Sequence, residues 1–155
     1  MTADLTPDMT TIPFATTLEV RDACLCMHVQ RAARALARHF DEAFRPLNLT
    51  NGQFSLLMSL NRPEPAAMGA VAGFLAMDRT TLTAALKPLV RRKLVRTLAD
   101  PEDARARLIQ LTPAGKKLLT RAVPIWRAHH DALEKGLGRP VAALNDELKA
   151  LAKTR

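Results

Sequence analysis

Two cysteines, Cys24 and Cys26, are the side chains best suited to covalent or redox chemistry in this sequence. A thiol becomes reactive when a cationic group or a helix N-terminus stabilises its thiolate form. Arg21 and His28 are the neighbours that could help. If both cysteines lie on one helix, their spacing points them to opposite sides, so we expect no bridge between them. Burial as a small apolar residue is the more common role of cysteine, and we favour it here.

Metal binding and enzymatic catalysis have little support in the sequence. Cys24 and His28 would share a helical face, but a closed zinc site needs about four ligands. His129 or His130 on a second helix would have to complete it. The sequence contains no Gly-rich phosphate loop, HExxH motif or nucleophile elbow. We therefore expect no metal, no cofactor and no enzyme activity; the alternative is a small thiol-dependent enzyme using Cys26, which steady-state consumption of peroxide would reveal.

A candidate binding site lies in DRTTLTAALKPLVRRKLVR, residues 78–96. Asp78 is placed to cap a helix there, and leucines follow at helical spacing. The side facing solvent begins with residues that are poor helix formers apart from the arginine, namely Arg79, Thr80, Thr81 and Thr83. Their donors at a helix N-terminus could bind phosphates and the edges of DNA bases. Lys87 and Arg91 lie further along the same side, where they could bind phosphates. The alternative interpretation is a solvated surface helix.

The net charge of the chain indicates which kinds of partner it could bind. The 155-residue chain carries a formal charge of +8 and has a sequence pI near 10.3, which favours an anionic partner such as nucleic acid or a membrane surface. No apolar run approaches the length of a membrane span, and the N-terminus lacks the charge and apolar core of a signal peptide. With two cysteines that are not expected to pair, the sequence indicates a reduced, cytoplasmic protein without a membrane partner.

The predicted elements give a mainly α fold with a small β-hairpin. Residues 1–15 are expected to form a flexible arm, and a long helix follows, capped by Thr16 with Glu19. Residues 50–111 contain three short helices and then a hairpin formed by LVRTLA and RLIQL, the order of a winged helix-turn-helix. The helical regions 16–49 and 112–155 flank this domain. In a helix-turn-helix, the second helix of the pair places its N-terminal residues on base edges in the major groove.

The stretch from Leu49 to Gly115 resembles the MarR family of bacterial transcription regulators. The matching segments are LTNGQFSLLMSL, DRTTLTAALKPLVRRKLVR and DPEDARARLIQLTPAG. The resemblance implies a winged-helix domain between terminal helices that intertwine as an obligate homodimer. It also implies binding to pseudo-palindromic operators in double-stranded DNA, usually with repression. In such proteins, small molecules or thiol oxidation typically weaken DNA binding.

The resemblance also assigns roles to individual residues. Arg79, Thr80, Thr81 and Thr83 match the base-facing start of the family's recognition helix. Asp103 and Arg105 match a D-x-R pair in the wing, where the arginine enters the minor groove and the aspartate holds the loop by pairing with a neighbouring arginine. We include Arg107 among the expected DNA contacts. Lys93 replaces a usual glycine at the end of the recognition helix, where a left-handed backbone would cost about 1 kcal/mol.

We thus predict a homodimeric transcription regulator, a repressor released by a small-molecule effector for which phenolic compounds are candidates. Its effector site would be an apolar cleft between the flanking helices and the DNA-binding domain. An alternative is a redox-sensing regulator using Cys24 or Cys26, because LCMHVQRAARAL resembles the reactive-cysteine helix of the family's peroxide sensors. Those sensors use tyrosine hydroxyls, and this chain has no tyrosine. Non-specific packaging of nucleic acid is a third interpretation, which a strong operator preference would exclude.

Overall fold

A computed structural model describes residues 11–103 and 105–153. In chain order the described residues form α1 (Phe14–Ala23), α2 (Leu25–Phe44), a 3-10 turn (Arg45–Leu47), α3 (Asn51–Ser59), β1 (Ala66–Ala67), α4 (Met68–Phe74), α5 (Arg79–Arg91), β2 (Val95–Ala99), β3 (Arg107–Leu111), α6 (Pro113–Leu137) and α7 (Val141–Leu151). This confirms the predicted fold class, a mainly helical winged helix-turn-helix with flanking helices. None of the described helices combines the length and apolarity that crossing a membrane requires.

Side-chain caps place the starts of three helices where the sequence predicts them. Thr50 forms a complete capping box with Gln53 at the start of α3. Asp78 accepts from the backbone N–H of Thr81 at the start of α5. Thr112 accepts from the N–H of Gly115 at the start of α6, and its hydroxyl donates to the Lys93 carbonyl oxygen at 2.6 Å. Each cap satisfies N–H groups that the first helical turn leaves unpaired.

The N-terminal region differs from its prediction in two ways. The first helix begins at Phe14 after Pro13 rather than at a Thr16 capping box. It also ends at Ala23, because Cys24 is extended with φ −72° and ψ 104°, and a new helix begins at Leu25. The predicted arm, residues 1–15, lies for its first ten residues outside the described part of the chain.

The predicted hairpin is present, and the sheet has one strand more than expected. Strands β2 and β3 pair antiparallel, with Val95 opposite Leu111 and Ala99 opposite Arg107. The two-residue strand β1 adds to the other edge of β3, giving the order β1-β3-β2. A strand this short has no periodicity, so a sequence pattern cannot reveal it.

The chain divides into two compact units, Met1–Leu36 and Ala37–Arg155, and the apolar core belongs to the second. Phe44, Leu57, Leu82, Leu89 and Ile109 are fully buried there. The start of α6 joins the same core through Leu118, Leu119 and Ala122.

Residues at the end of α5 differ in burial and backbone conformation from the rest of the helix. Val90 is 40% exposed, whereas Leu82, Leu86 and Leu89 are buried. Lys93 has the left-handed backbone that its alignment with a usual glycine implies, with φ 56°.

Candidate nucleic-acid interface

The start of α5 carries four of the predicted DNA contacts, and the structure divides them into two kinds. Thr81 donates its hydroxyl to Asp78 Oδ2 at 2.6 Å, and Thr83 donates its hydroxyl to the Arg79 carbonyl oxygen at 2.7 Å. Both protons are therefore used within the helix, and the two oxygens keep only their acceptor capacity. Arg79 and Thr80 make no side-chain hydrogen bond in the described part of the chain and can donate outward. Sequence alone did not separate these two kinds.

The carboxylate of Asp78 is negatively charged and accepts hydrogen bonds at the start of α5. Hydrogen bonds from Thr81 lower the pKa of the Asp78 carboxyl below its ordinary value. The bond from the Thr81 hydroxyl has the largest effect, and the bond from the Thr81 backbone N–H comes second. The aspartate thus stays ionised while it caps α5. Its negative charge is engaged by the helix N-terminus, beside the exposed guanidinium of Arg79.

Arg79 shares a concavity with the wing. The cavity has a volume of about 370 Å³ and lies beside the start of α4. It is lined by Ala67, Met68, Gly69, Arg79, Asp103, Arg105, Ala106 and Arg107. The fold therefore brings four predicted site residues from two separate segments to one surface. A Cβ added at Gly69 would lie 3.5 Å from Arg79 Nη2, an ordinary van der Waals contact.

The wing loop is braced by Asp103, though not in the predicted way. Asp103 Oδ1 accepts from the backbone N–H of Arg105 at 2.9 Å, and its carbonyl oxygen accepts from the N–H of Ala106 at 2.9 Å. Within the described residues Asp103 forms no ion pair, so the expected pairing with an arginine side chain was wrong. An aspartate side chain commonly accepts from the N–H two residues on in a tight turn, and here that short loop contact replaces the ion pair.

A second concavity follows the outer side of α5. Its volume is about 530 Å³, and Met68 lines it as well as the first cavity. The other lining residues are Thr83, Leu86, Lys87, Val90, Arg91 and Thr97. The two predicted phosphate-binding cations, Lys87 and Arg91, thus lie on one surface with Thr83.

The cations of this surface are exposed and unpaired. Arg79, Lys87, Arg91, Arg105 and Arg107 form no ion pair and no side-chain hydrogen bond with other described residues. Elsewhere in the basic stretch, cations have structural partners. Arg92 donates to the Asn48 carbonyl oxygen at 2.7 Å, and Arg96 donates to Gln110 Oε1 at 2.6 Å. Unpaired cations on a concave surface produce a field that attracts polyanions.

An apolar cleft lies between α3, α4 and α6. Its volume is about 600 Å³, and it is lined by Phe54, Ser55, Met58, Ser59, Phe74, Leu75, Val123, Trp126 and Arg127. Phe54 and Trp126 stack with their rings inclined by 23° and their centroids 6.5 Å apart. Its polar side-chain groups are the hydroxyls of Ser55 and Ser59, the indole N–H of Trp126 and the guanidinium of Arg127. The Ser59 hydroxyl donates to the Leu56 carbonyl oxygen at 2.7 Å. A flat apolar molecule with one anionic or hydroxyl group would complement this lining.

The cysteine region lies at the junction of α1 and α2. Cys26 is exposed and occupies the first turn of α2, and its Sγ accepts from Gln30 Nε2 at 3.0 Å. The two expected helpers are engaged elsewhere. Arg21 forms a bidentate pair with Asp22 at 2.6 and 2.8 Å, and His28 Nε2 lies 3.2 Å from the Asp22 carbonyl oxygen. The group at the sulfur is therefore Gln30, which the sequence did not single out.

His129 Nδ1 lies 3.1 Å from His39 Nε2. Among the described residues, no three His, Cys, Asp or Glu side chains are grouped to hold a metal ion.

The sequence and fold of this chain are similar to those of known transcription regulators. The profile of the MarR family matches residues 49–106. The organic hydroperoxide resistance transcriptional regulator of Bacillus subtilis is 30% identical over 101 residues, 65% of this chain and 69% of that protein. The M. tuberculosis transcriptional regulator MosR in complex with DNA is 35% identical with a TM-score of 0.77, covering 84% of this chain and 94% of that one. NadR in complex with 4-hydroxyphenylacetate is 28% identical with a TM-score of 0.72, covering 86% and 95%.

Proposed function

Because the chain belongs to the MarR family of transcription regulators, we propose that it is a homodimeric, sequence-specific DNA-binding repressor. One observation carries the proposal. Five exposed cations, on α5 and on the wing, line two concavities without an intramolecular partner among the described residues. An ion pair on a surface contributes little to folding, so leaving these cations unpaired costs the fold little and keeps them available to DNA.

The two segments serve different parts of the DNA. The start of α5 enters the major groove, where Arg79 donates to a guanine edge and Thr80 supports it. Lys87 and Arg91, further along α5, contact phosphates. Arg105 on the wing inserts into the adjacent minor groove, whose narrow A·T-rich stretches attract arginine. Replacing Arg105 by alanine should therefore weaken operator binding and lower the salt slope by about one unit.

Apolar side chains on the terminal helices support the homodimer. On α2, Leu25 is 66% exposed, Val29 39% and Leu36 46%, and on α7 Leu148 is 40% exposed. Exposed apolar residues at helical spacing commonly mark a surface that another chain covers. A two-fold dimer presents two copies of α5, which suits a pseudo-palindromic operator with half-sites about 34 Å apart.

The apolar cleft is the proposed effector site. An aromatic ring fits beside the stacked Phe54 and Trp126, and a carboxylate or phenol group would reach Arg127 or Ser55. The complex of NadR with 4-hydroxyphenylacetate supports an effector of this class. Because the cleft joins α3 and α4 of the DNA-binding domain to α6, an effector wedged there would favour one spacing of these helices over another.

A second candidate function is redox sensing through the cysteines. The exposed Cys26 lies in the first turn of α2 and accepts a hydrogen bond from Gln30. Both features stabilise negative charge on a sulfur atom. A 30% identical relative is a regulator of organic hydroperoxide resistance. The redox and effector candidates can coexist, since they use separate residues.

Affinity selection of genomic fragments by the purified, reduced protein tests the proposal. We expect enrichment of one pseudo-palindromic sequence, bound far more tightly than a scrambled version at the same salt concentration. Repeating the selection with 4-hydroxyphenylacetate and related phenols should reduce that enrichment. Equal binding to operator and scrambled DNA would instead indicate non-specific packaging.

A further inference from the structure

We infer that Arg92 is a positioning residue. It fixes the end of α5 to the corner between α2 and α3, residues 45–50, and thereby sets the spacing between half-sites that the operator must have. The inference rests on the proposed function, a homodimer that binds a pseudo-palindromic operator. It adds to that function a residue that determines specificity through contacts within the protein.

The guanidinium of Arg92 joins segments that are far apart in sequence. Nη1 donates to the Asn48 carbonyl oxygen at 2.7 Å and to Gln53 Oε1 at 3.4 Å, and Nη2 donates to the Leu47 carbonyl oxygen at 3.5 Å. These acceptors lie between 39 and 45 residues earlier in the chain. Because a guanidinium is planar and carries five N–H donors, it can hold several acceptors in one fixed arrangement.

The acceptors of Arg92 lie where a helix ends. Helix α2 passes directly into the 3-10 turn Arg45–Leu47, and Asn48 follows with a left-handed backbone, φ 54°. The last carbonyl groups of a helix lack partners within it and carry partial negative charge, so a cation is favourable there. Asp41 holds the other side of the corner, because its Oδ1 accepts from the backbone N–H of Asn51 at 2.6 Å.

Buried leucines anchor both ends of this connection. Leu47 and Leu49, on either side of Asn48, are buried, and so is Leu94, two residues after Arg92. Apolar packing brings the two segments together without fixing a direction. Hydrogen bonds require aligned donors and acceptors, so those of Arg92 fix how the end of α5 is turned toward the corner.

The neighbouring arginines have other contacts and serve as a comparison. Arg91 lines the concavity beside α5 and forms no ion pair with other described residues. Arg96 donates to Gln110 Oε1 within the sheet. Of these three arginines in the described structure, Arg92 is the one that connects the end of α5 to the corner.

A fixed corner matters in a dimer, because each chain presents one copy of α5. In the proposed homodimer α2 helps to join the two chains, so an α5 held to the end of α2 has a set distance from its partner copy. One added base pair moves a half-site by about 3.4 Å along the DNA axis and about 35° around it. A firmly held α5 cannot follow that movement, whereas an α5 released by the loss of Arg92 can.

Operators with one base pair added or removed between the half-sites test the inference. Their affinities are measured at one salt concentration for the parent, Arg92→Ala and the matched control Arg91→Ala. We expect each change of spacing to weaken binding by the parent roughly tenfold or more. Arg92→Ala should bind the selected operator less tightly and differ by only about threefold or less among the spacings. Arg91→Ala removes a phosphate contact, so its affinity should fall by the same factor at every spacing.

Arg92→Lys separates geometry from charge. Lysine keeps the positive charge but lacks the planar fork, so it should restore only part of the spacing preference. Sedimentation and thermal melts check that the variants are folded dimers at the concentrations used. If the parent itself binds no operator or binds all spacings equally, the proposed function fails, and the inference fails with it. The inference alone is overturned if the parent is selective and either Arg92 variant keeps the parent's full ratio of affinities between spacings.

Discussion

Side chains at the start of α5 are of two kinds: some are hydrogen-bonded within the helix, and the others can contact DNA in the proposed complex. The Thr81 hydroxyl donates to Asp78, and the Thr83 hydroxyl donates to the Arg79 carbonyl oxygen. The side chains of Arg79 and Thr80 form no hydrogen bond with other described residues, so they can donate to DNA. Arginine can donate two hydrogen bonds to the edge of a guanine, which is the commonest specific contact between a side chain and a base. Arg79 should therefore contribute more to base preference than any of the three threonines.

The contact between Asp103 and Arg105 leads to a prediction at the same scale. Asp103→Ala removes a negative charge near DNA, which by itself favours binding, but it also removes the acceptor for the Arg105 N–H. Asp103→Asn removes the same charge and keeps the acceptor. If the hydrogen bond to Arg105 matters more than the charge, Asp103→Ala should weaken operator binding by about 0.5–1.5 kcal/mol. Asp103→Asn should then bind the operator at least as tightly as the parent. Titrations on one operator, with thermal melts as controls, measure both; tighter binding by the alanine variant would contradict the bracing role.

Asp78 gives a pH dependence whose sign can be worked out. Hydrogen bonds from Thr81 lower the pKa of its carboxyl below the ordinary value of 3.8. Its contribution to stability is therefore fully present above that value and is lost as the pH falls through the lowered pKa of the folded protein. Because the group is exposed, solvent screening keeps the effect small. We expect Asp78→Asn to lower the melting temperature at neutral pH and to differ less from the parent near pH 3; a difference that grows on acidification would contradict this assignment.

At the scale of elements, the start of α6 packs so closely against the segment after α5 that Gly115 has no room for a side chain. A Cβ at Gly115 would lie 2.2 Å from the Leu94 carbonyl oxygen, a backbone atom that cannot move away alone. We expect Gly115→Ala to lower the free energy of unfolding by about 1–3 kcal/mol or more. Gly136 lies on the same helix, and a Cβ added there would have nothing within 4 Å, so Gly136→Ala should raise stability by about 0.5–1 kcal/mol. Equal effects of the two changes in denaturant titrations would show that crowding at Gly115 does not govern this junction.

Elements with local signals were predictable, and those that depend on distant partners were not. Thr50, Asp78 and Thr112 are side-chain caps that act within three residues, so the starts of α3, α5 and α6 follow from sequence. Strand β1 exists because Ala66 and Ala67 pair with β3, some forty residues away, and no local pattern encodes that pairing. The break at Cys24 carries no proline or glycine, so helical periodicity alone predicts one continuous helix there.

In the candidate site too, some features could be predicted from the sequence and others could not. Arg79 and Arg105 were found through their position in a motif, and the fold brings both to one cavity. The bond from Gln30 to Cys26 and the cavity shared by Lys87 and Arg91 depend on side-chain conformations, which residue spacing alone does not determine.

For the whole molecule, the central prediction is that two chains assemble through the terminal helices. Leu148 on α7 is 40% exposed, so it contributes little to the core of its own chain. If a second chain covers it, Leu148→Asp should cost about 1.5–3 kcal/mol of association free energy, a tenfold or greater weakening. Ala143→Asp adds the same charge to the same helix, about 140° away around its axis, and should leave assembly unchanged. Sedimentation across a concentration series measures both; a parent protein that stays monomeric at micromolar concentration would contradict the architecture.

The affinity of the parent and of Arg79→Ala for the selected operator and for a scrambled sequence, at one salt concentration, tests the account most directly. We predict that the parent prefers the operator by roughly a thousandfold or more. Arg79→Ala should lose about 1–3 kcal/mol of binding free energy on the operator and far less on scrambled DNA, where only phosphate contacts count. Equal operator binding by the two proteins, or an equal loss on both sequences, would contradict base reading by the start of α5.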